Sequence, residues 1–255
     1  MCSEAFGASL VLYALFAADL HSARIHVQKG EILEGLREIE AAMHSAPDNP
    51  EIQFEAGQLL REISAEHAVR LQQLAPDSAE VHQLLGRSLE ARRQLSDALV
   101  EYRAALRNNP AAPGVHFLIG NVLWKQRDLE EARKELEAEL HLNPDHVLAN
   151  LRLGDVLLNL DEPKAAAEHL LRAVQADDSS LSAHQALGKA YRALGQHVEA
   201  LREFQFVARR RPKDESVHAQ LAGEYRALGD SVKARAEMEL HRQLLEVKAA
   251  AARKK

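Results

Sequence analysis

The chain has 255 residues, a formal net charge of −6 at pH 7, 46% hydrophobic residues and 4% aromatic residues. Its single cysteine excludes an intramolecular disulfide framework, and its overall acidity argues against nucleic acid as the partner. The charge is uneven, because residues 181–255 contain 15 basic and 9 acidic side chains. These basic side chains are not interleaved with aromatic residues on which bases could stack. We expect no nucleic-acid partner, with RNA as the last alternative.

The first element is an apolar stretch, AFGASLVLYALFAADL, at residues 5–20. It is too short to span a bilayer, so we expect no stable membrane span. It lacks the basic start of a signal peptide, since the only early charge is Glu4. We therefore expect residues 1–15 to form an apolar helix that packs onto the following repeat. The alternative is a remnant signal segment, cleaved near Ala17 or Ala18.

From residue 16 onward the chain follows a period of 34 residues. Apolar residues at positions 4, 7 and 11 of the unit lie on one face of a first helix, and those at positions 20, 24 and 27 lie on one face of a second helix. Small residues at positions 8 and 20 let the two helices approach closely. The period predicts an array of helix pairs. Its clearest mark is the small residue at position 8 of five successive units: Gly86, Gly120, Gly154, Gly188 and Ala222.

The first two units are irregular. Residues 16–49 have Pro47 at position 32, where proline ends the second helix, but Gly35 replaces alanine at position 20. Residues 50–78 are five residues too short, with Gly57 and Leu60 at positions 8 and 11. We expect a helix pair there with a short second helix or a tight turn.

Five complete units follow, at residues 79–112, 113–146, 147–180, 181–214 and 215–248. Gly195 and Gly229 lie at position 15, where a left-handed residue caps the first helix, and Pro163 suits the first turn of a second helix. Residues 249–255 are basic and predict a C-terminal cap. Three aspartates precede first helices and are predicted to cap their free amides: Asp77, Asp145 and Asp214.

This pattern resembles the tetratricopeptide repeat (TPR) family, closely over residues 79–246 and in degraded form over residues 16–78. The resemblance implies an all-α fold, a right-handed superhelical solenoid of stacked antiparallel helix pairs with about six to seven repeats. It also implies protein binding, because TPR arrays hold peptides in a concave groove. Helical repeats of 35 or 36 residues would drift out of this register.

In the TPR family, positions 2, 5, 9, 12 and 13 of the first helix line the concave groove. The apolar members of this set predict hydrophobic anchors on the ligand, and the basic members predict acidic groups on it. The alternative is that these side chains pack against neighbouring repeats. The resemblance assigns the following residues to a peptide-binding groove: Phe117, Asn121, Trp124, Leu148, Leu151, Asp155, Leu158, Gln185, Lys189, Arg192 and Arg226.

Residue types that often act in catalysis or bind metals are predicted to have structural roles in this chain. Histidine recurs at position 4, and side chains 34 residues apart lie one repeat apart, too far to converge on one metal ion. The chain has no phosphate-binding glycine loop, nucleophile elbow or HExxH helix. We expect no catalytic residue, no metal, no cofactor and no enzymatic activity. The histidines in question are His82, His116, His184 and His218.

We interpret the chain as a cytoplasmic scaffold or adaptor, bacterial in style, that binds a protein or peptide in the groove of the array. The family's carboxylate clamp for chaperone tails is absent, since Leu118 and Arg152 stand where it needs asparagine. Two alternatives stay open: an exported periplasmic or membrane-associated assembly factor, and the regulatory module of a larger enzyme complex. The sequence names neither the partner nor the oligomeric state.

Overall fold

The computed structural model describes residues 20–252, so the expectations for residues 1–15 and for the last three basic residues lie outside that range. Within it the fold is all-α, as the period predicts. From α4 onward the helices alternate as first and second helices of the five complete units. The helices are α1 (residues 20–28), α2 (Ile32–Ser45), α3 (Pro50–Leu74), α4 (Ala79–Ala91), α5 (Leu95–Asn108), α6 (Val115–Lys125), α7 (Leu129–Leu142), α8 (Val147–Asn159), α9 (Pro163–Ala176), α10 (Leu181–Ala193), α11 (His197–Arg210), α12 (Glu215–Ala227) and α13 (Ser231–Ala252).

Each complete helix pair turns at one left-handed residue. Gly195 and Gly229 have φ of 73° and 81°, which confirms the prediction for position 15. The next amide donates five residues back, as from Gln196 N to Tyr191 O over 2.9 Å, which is the hydrogen bond that closes a Schellman motif. Three units use a non-glycine residue at this position, at a cost of about 1–2 kcal/mol each. Those residues are Arg93, Arg127 and Asp161, with φ of 62°, 67° and 61°.

The predicted caps are only partly confirmed. Asp214 accepts a hydrogen bond from Ser216 N and caps α12, and Pro163 begins α9. At α8 the prediction for Asp145 is wrong, because the cap is the next residue, His146, whose ring accepts from Ala149 N. The extended backbone of a cap residue must immediately precede the first helical residue, and α8 begins at Val147.

Glycine at position 8 sets the spacing between the two helices of a pair. A Cβ added at Gly120 would lie 2.7 Å from Leu136 Cγ, and one added at Gly188 would lie 2.6 Å from the Phe204 ring. The side chain at position 24 of the second helix therefore lies directly on the glycine backbone of the first. Leu136 and Phe204 are fully buried by this contact, and burying such a side chain contributes about 1.5–3 kcal/mol.

The chain divides into two compact units, Met1–Leu84 and Leu85–Lys255. In the second unit, each pair also packs onto the next, as where Phe204 and Val207 of α11 join Val217 and Leu221 of α12 in one cluster. Such nearest-neighbour packing is the main source of stability in a helical repeat. In the first unit, α1, α2 and α3 bury a single core: Leu20, Ala23, Val27, Ile39, Ala42, Ile52, Ala56, Leu59 and Ile63.

The helix pair predicted for residues 50–78 is replaced by one helix. α3 runs for 25 residues without a turn. Position 15 of this unit is Ser64, which is helical, whereas every complete unit has a left-handed residue there. No glycine or proline lies between Gly57 and Leu74, and the intervening residues include strong helix formers. Because this segment lacks a turn residue, a continuous helix has a lower free energy than two helices joined by a turn.

Candidate functional site

The predicted groove residues lie on α6, α8, α10 and α12, the first helices of four successive units. Polar side chains connect these helices to one another. Asn121 on α6 donates from Nδ2 to Glu90 Oε1 on α4 over 3.2 Å. Gln185 on α10 donates to Gln220 Oε1 on α12 over 3.1 Å. We name the predicted residues, together with the side chains that bridge them, the first-helix face.

The centre of the first-helix face is a stack of Trp124 and Arg152. The Arg152 guanidinium carbon lies 3.9 Å from the centre of the Trp124 ring, a cation–π contact worth about 0.5–2 kcal/mol. Trp124 Nε1 and Arg152 Nε are both buried without a hydrogen-bond partner among the described residues. The arginine thus covers one face of the only tryptophan in the chain.

Asp155 adds a partly buried carboxylate to this stack. Its Oδ2 lies 3.3 Å from Arg152 Nη1. Burial raises the pKa of Asp155, while the positive charges of Arg152 and Lys189 act in the opposite direction. Burial also lowers the pKa of Arg152. Both charges are therefore held in an environment poorer in water than an ordinary surface, where electrostatic interactions are stronger.

Four apolar side chains on α6 and α8 remain at least partly exposed. Leu148 is 54% exposed, and Leu151, Leu158 and Phe117 are intermediate. The Phe117 ring packs against His146, with 5.0 Å between ring centres. These side chains offer apolar contact area on a surface that also carries charges.

Arg192, predicted to bind a ligand, is held by a buried carboxylate of its own chain. Its Nε donates to Glu224 Oε1, and its Nη2 donates to Gln220 O over 3.1 Å. The other oxygen of Glu224 lies 2.8 Å from His197 Nδ1. Glu224 is 1% exposed, and removing a partner from a buried charge is costly. This leaves Lys189 and Arg226 as the exposed cations of the predicted set.

At the α4 end of the first-helix face, Glu90 similarly binds polar side chains of its own chain. It accepts from Asn121, from Lys125 Nζ over 2.6 Å and from the Tyr102 hydroxyl over 2.9 Å. Burial and this hydrogen bond raise the pKa of Tyr102. Asn121 is therefore part of an internal network.

The recurring histidines pair across helices, at a sequence separation of 19 residues. His116 lies 2.7 Å from Glu135, and His218 lies 2.7 Å from Glu237. The other ring nitrogen of His218 lies 3.0 Å from Pro212 O. These contacts confirm the predicted structural role of His116 and His218 at the helix-pair interface. Among residues 20–252 no group of three potential ligands is arranged to hold a metal ion.

Two functional-site residues were missed by the sequence prediction, although each carries a signal. Arg152 stands at position 6, where neighbouring units have Leu118 or Ala186. Glu224 stands at position 10, where other units have buried Val122 or Val156. A charged residue at a position that is otherwise apolar indicates a specific charged partner.

The family assignment follows from the repeat geometry together with two comparisons. The tetratricopeptide repeat family model matches residues 84–140 and 117–180. Residues 84–180 of the chain are tetratricopeptide repeats. No curated protein matches it by sequence.

Several solved TPR structures share the fold. YrrB, described as a TPR protein with an unusual peptide-binding site, has a TM-score of 0.64 and 23% identity, over 74% of this chain and 98% of YrrB. MamA from Desulfovibrio magneticus RS-1 has a TM-score of 0.63 and 22% identity, over 66% of this chain and 96% of MamA. A tetratricopeptide repeat protein from Parabacteroides merdae has a TM-score of 0.54 and 19% identity, over 88% of this chain and 77% of its own. At these identities the likeness is one of fold.

Between residues 20 and 252, no helix is both long enough and apolar enough to cross a bilayer.

Proposed function

We propose that the first-helix face of Leu85–Lys255 binds an extended or helical peptide segment of a partner protein, so that the chain acts as an interaction scaffold. The observation that carries this proposal is the combination of partly exposed apolar side chains on α6 and α8 with exposed cations on α10 and α12. TPR proteins act as protein-interaction scaffolds, and YrrB is described as having a peptide-binding site. No catalytic step is part of the proposal.

The apolar end of the site is the row formed by Phe117, Leu148, Leu151 and Leu158. A ligand side chain placed on this row removes apolar surface from water at about 25 cal/mol per Å². The Trp124–Arg152 stack lies on the same two helices, and its partly buried cation is also paired with Asp155. Apolar anchoring is therefore assigned to the leucines and Phe117, with Trp124 as a supporting residue.

The charged end of the site is formed by Lys189 and Arg226. Neither forms a salt bridge among the described residues, unlike Arg192 and Lys125, which bind Glu224 and Glu90. Lys189 feels only the more distant charge of Asp155. An exposed cation that is not in a salt bridge attracts an acidic group without first breaking an internal ion pair. The expected ligand carries apolar residues followed by Asp or Glu, and the charges set association rate and register more than final affinity.

The test is a selection from a random peptide library displayed on phage, at low salt, with three baits. They are the unmodified protein, the Lys189→Glu/Arg226→Glu variant, and Arg202→Glu as a matched control on the exposed surface of α11. All three must have equal helical content. The unmodified protein and the control should enrich apolar–acidic peptides, and the double variant should bind them roughly tenfold more weakly, about 1.4 kcal/mol. Enrichment of the same peptides with equal affinity by all three baits would refute the charged half of the site.

A further inference from the structure

The end of α11 and the linker to α12 carry a dense group of exposed cations that the first-helix face does not use. Four of the five residues at 209–213 are Arg or Lys, and all four are exposed. The corresponding five residues of the three preceding units, at 107–111, 141–145 and 175–179, contain one Arg or Lys, at Arg107. The repeat geometry therefore does not require cations here. We name this group the basic corner; it consists of Arg209, Arg210, Arg211 and Lys213.

The basic corner is available to an external anion. None of its four cations is in a salt bridge among the described residues, although Arg211 feels the nearby charge of Asp214. A cation at a helix C-terminus interacts favourably with the helix dipole, but Lys213 lies beyond α11, which ends at Arg210. The dipole therefore accounts for only part of the cluster.

Arg210 is held in place by aromatic contacts. Its guanidinium carbon lies 3.6 Å from the centre of the Phe206 ring, and Phe206 stacks on His184 with 3.7 Å between ring centres. Arg210 nevertheless remains exposed. A cation that is oriented before binding loses less conformational freedom when an anion binds.

The end of α13 lies at the same edge of the molecule. α13 has 22 residues, whereas the second helices of the four preceding complete units have 14. The Lys248 ammonium pairs with Glu215, the first residue of α12, and His241 Nδ1 lies 2.6 Å from the carbonyl oxygen of the same residue. Glu215 follows Lys213 by two residues, so α13 brings its last turns next to the basic corner.

The last turns of α13 expose apolar side chains beside a cation. Val247 is 68% exposed, and the side chain of the adjacent Lys248 is 69% exposed. Val247 belongs to an apolar stripe at helical spacing, which also contains Leu240, Leu244 and Ala251. A helix with cations beside an apolar stripe is typical of helices that lie on a bilayer surface.

An anionic bilayer surface fits both features of this edge. Its phosphate groups attract clusters of about four to eight Lys and Arg residues, and each cation near the surface strengthens binding about fivefold. The boundary between headgroups and acyl chains takes up apolar side chains. A soluble acidic protein segment would pair with the basic corner but would leave Val247 in water.

We propose that the basic corner and the end of α13 form a docking edge for an anionic phospholipid bilayer, to which the chain binds without spanning it. The arginines and lysines contact headgroup phosphates, and Val247 enters the boundary below them. This edge belongs to α11, α13 and the linker at residues 211–214, whereas the predicted peptide-binding residues lie on first helices, so the two proposals can fail separately.

Co-sedimentation with large vesicles at low salt tests the charged part of the edge. The full-length protein should sediment with vesicles of equal parts phosphatidylcholine and phosphatidylglycerol but not with phosphatidylcholine alone, and high salt should release it. Arg209→Glu/Arg211→Glu should bind at least about 25-fold more weakly, because two cations at about fivefold each are lost. The matched control, Arg202→Glu/Arg235→Glu, makes the same charge change on the exposed surfaces of α11 and α13 and should lose less than about fivefold.

A second pair of variants tests the apolar part of the edge without changing its charge. Val247→Gln should bind about tenfold more weakly, because it removes the apolar side chain that the bilayer buries. Val232→Gln is the matched control: Val232 is 70% exposed near the other end of α13, and this variant should bind like the unmodified protein. Helical content is compared across all variants.

Three results would overturn the proposal: equal binding to both kinds of vesicle, equal losses for the two double variants, or an unchanged affinity of Val247→Gln for anionic vesicles. The last of these, together with equally tight binding of soluble poly-glutamate, would assign the basic corner to an acidic protein partner instead.

Discussion

The buried pair Arg192–Glu224 gives the sharpest prediction, because its two partners differ greatly in burial. Glu224 is 1% exposed, whereas the Arg192 side chain is 39% exposed. Replacing Arg192 with methionine keeps the apolar stem and leaves the buried Glu224 carboxylate with His197 as its remaining side-chain hydrogen-bond partner. Removing one partner of a buried pair costs about 3–5 kcal/mol, and the remaining contact places this variant near 3 kcal/mol.

The opposite replacement, Glu224→Val, is expected to cost far less. Position 10 holds Val122 and Val156 in other units, so the site suits an apolar side chain. The freed guanidinium of Arg192 rotates into water. Replacing a buried ion pair with packed apolar residues is often neutral or stabilising, so we expect a loss below about 1 kcal/mol for Glu224→Val and for the double variant Arg192→Met/Glu224→Val.

Urea unfolding followed by far-UV circular dichroism measures these differences, provided that the slope m is the same for all variants. The three variants and the unmodified protein form a double-mutant cycle. The double variant should recover most of the stability lost in Arg192→Met. Equal losses for the two single variants, or a double variant as unstable as their sum, would refute the assignment of a buried charge that depends on Arg192.

Two further predictions concern packing and pH. Gly120→Ala should lower the free energy of unfolding by about 1–3 kcal/mol, because its Cβ would lie 2.7 Å from Leu136 Cγ. The matched Gly223→Ala, whose Cβ would have only an ordinary van der Waals contact with Arg192 Nη2 at 3.9 Å, should raise it by up to about 1 kcal/mol. Thermal unfolding distinguishes the two variants, and equal effects would contradict the packing. Burial lowers the pKa of His169, whose Nδ1 lies 3.0 Å from Asn150 Oδ1, so the unfolded state binds more protons and stability falls as pH drops below about 6.5. His169→Gln should flatten this dependence in unfolding measurements between pH 7 and pH 5, and an unchanged slope would exclude His169 as its source.

The repeat architecture could be predicted because its causes are local in the chain. A glycine every 34 residues and apolar residues at helical spacing determine which faces pack, independently of any distant contact. Gly195 and Gly229 were recognisable as turn residues because glycine favours positive φ. Arg93, Arg127 and Asp161 adopt the same conformation without such a signature, since packing of the helix pair holds their backbone there.

The unit at residues 50–78 was predicted as a helix pair, and this prediction was wrong. The deletion of five residues was visible in the sequence, but its outcome depended on whether the chain would reverse near Ser64. Helix propensity in that segment and the absence of a left-handed turn residue favour one long α3 over the predicted helix pair.

Candidate groove residues were predicted from their positions in the repeat, and those positions lie on successive first helices. Whether each side chain is free to bind a ligand was not predictable, because it depends on partners about 30 residues away on the neighbouring helix. Arg192 and Asn121 are held by Glu224 and Glu90, whereas Lys189 and Arg226 are exposed.

The sequence by itself determined the all-α class, the 34-residue helix-pair unit and the helix faces that are buried, because these follow from spacing along a single helix or between adjacent helices. Only the tertiary structure decided which charges neutralise one another and where Trp124 is covered. Those outcomes depend on distances between side chains on different helices, and such distances are set by the packing of the whole array.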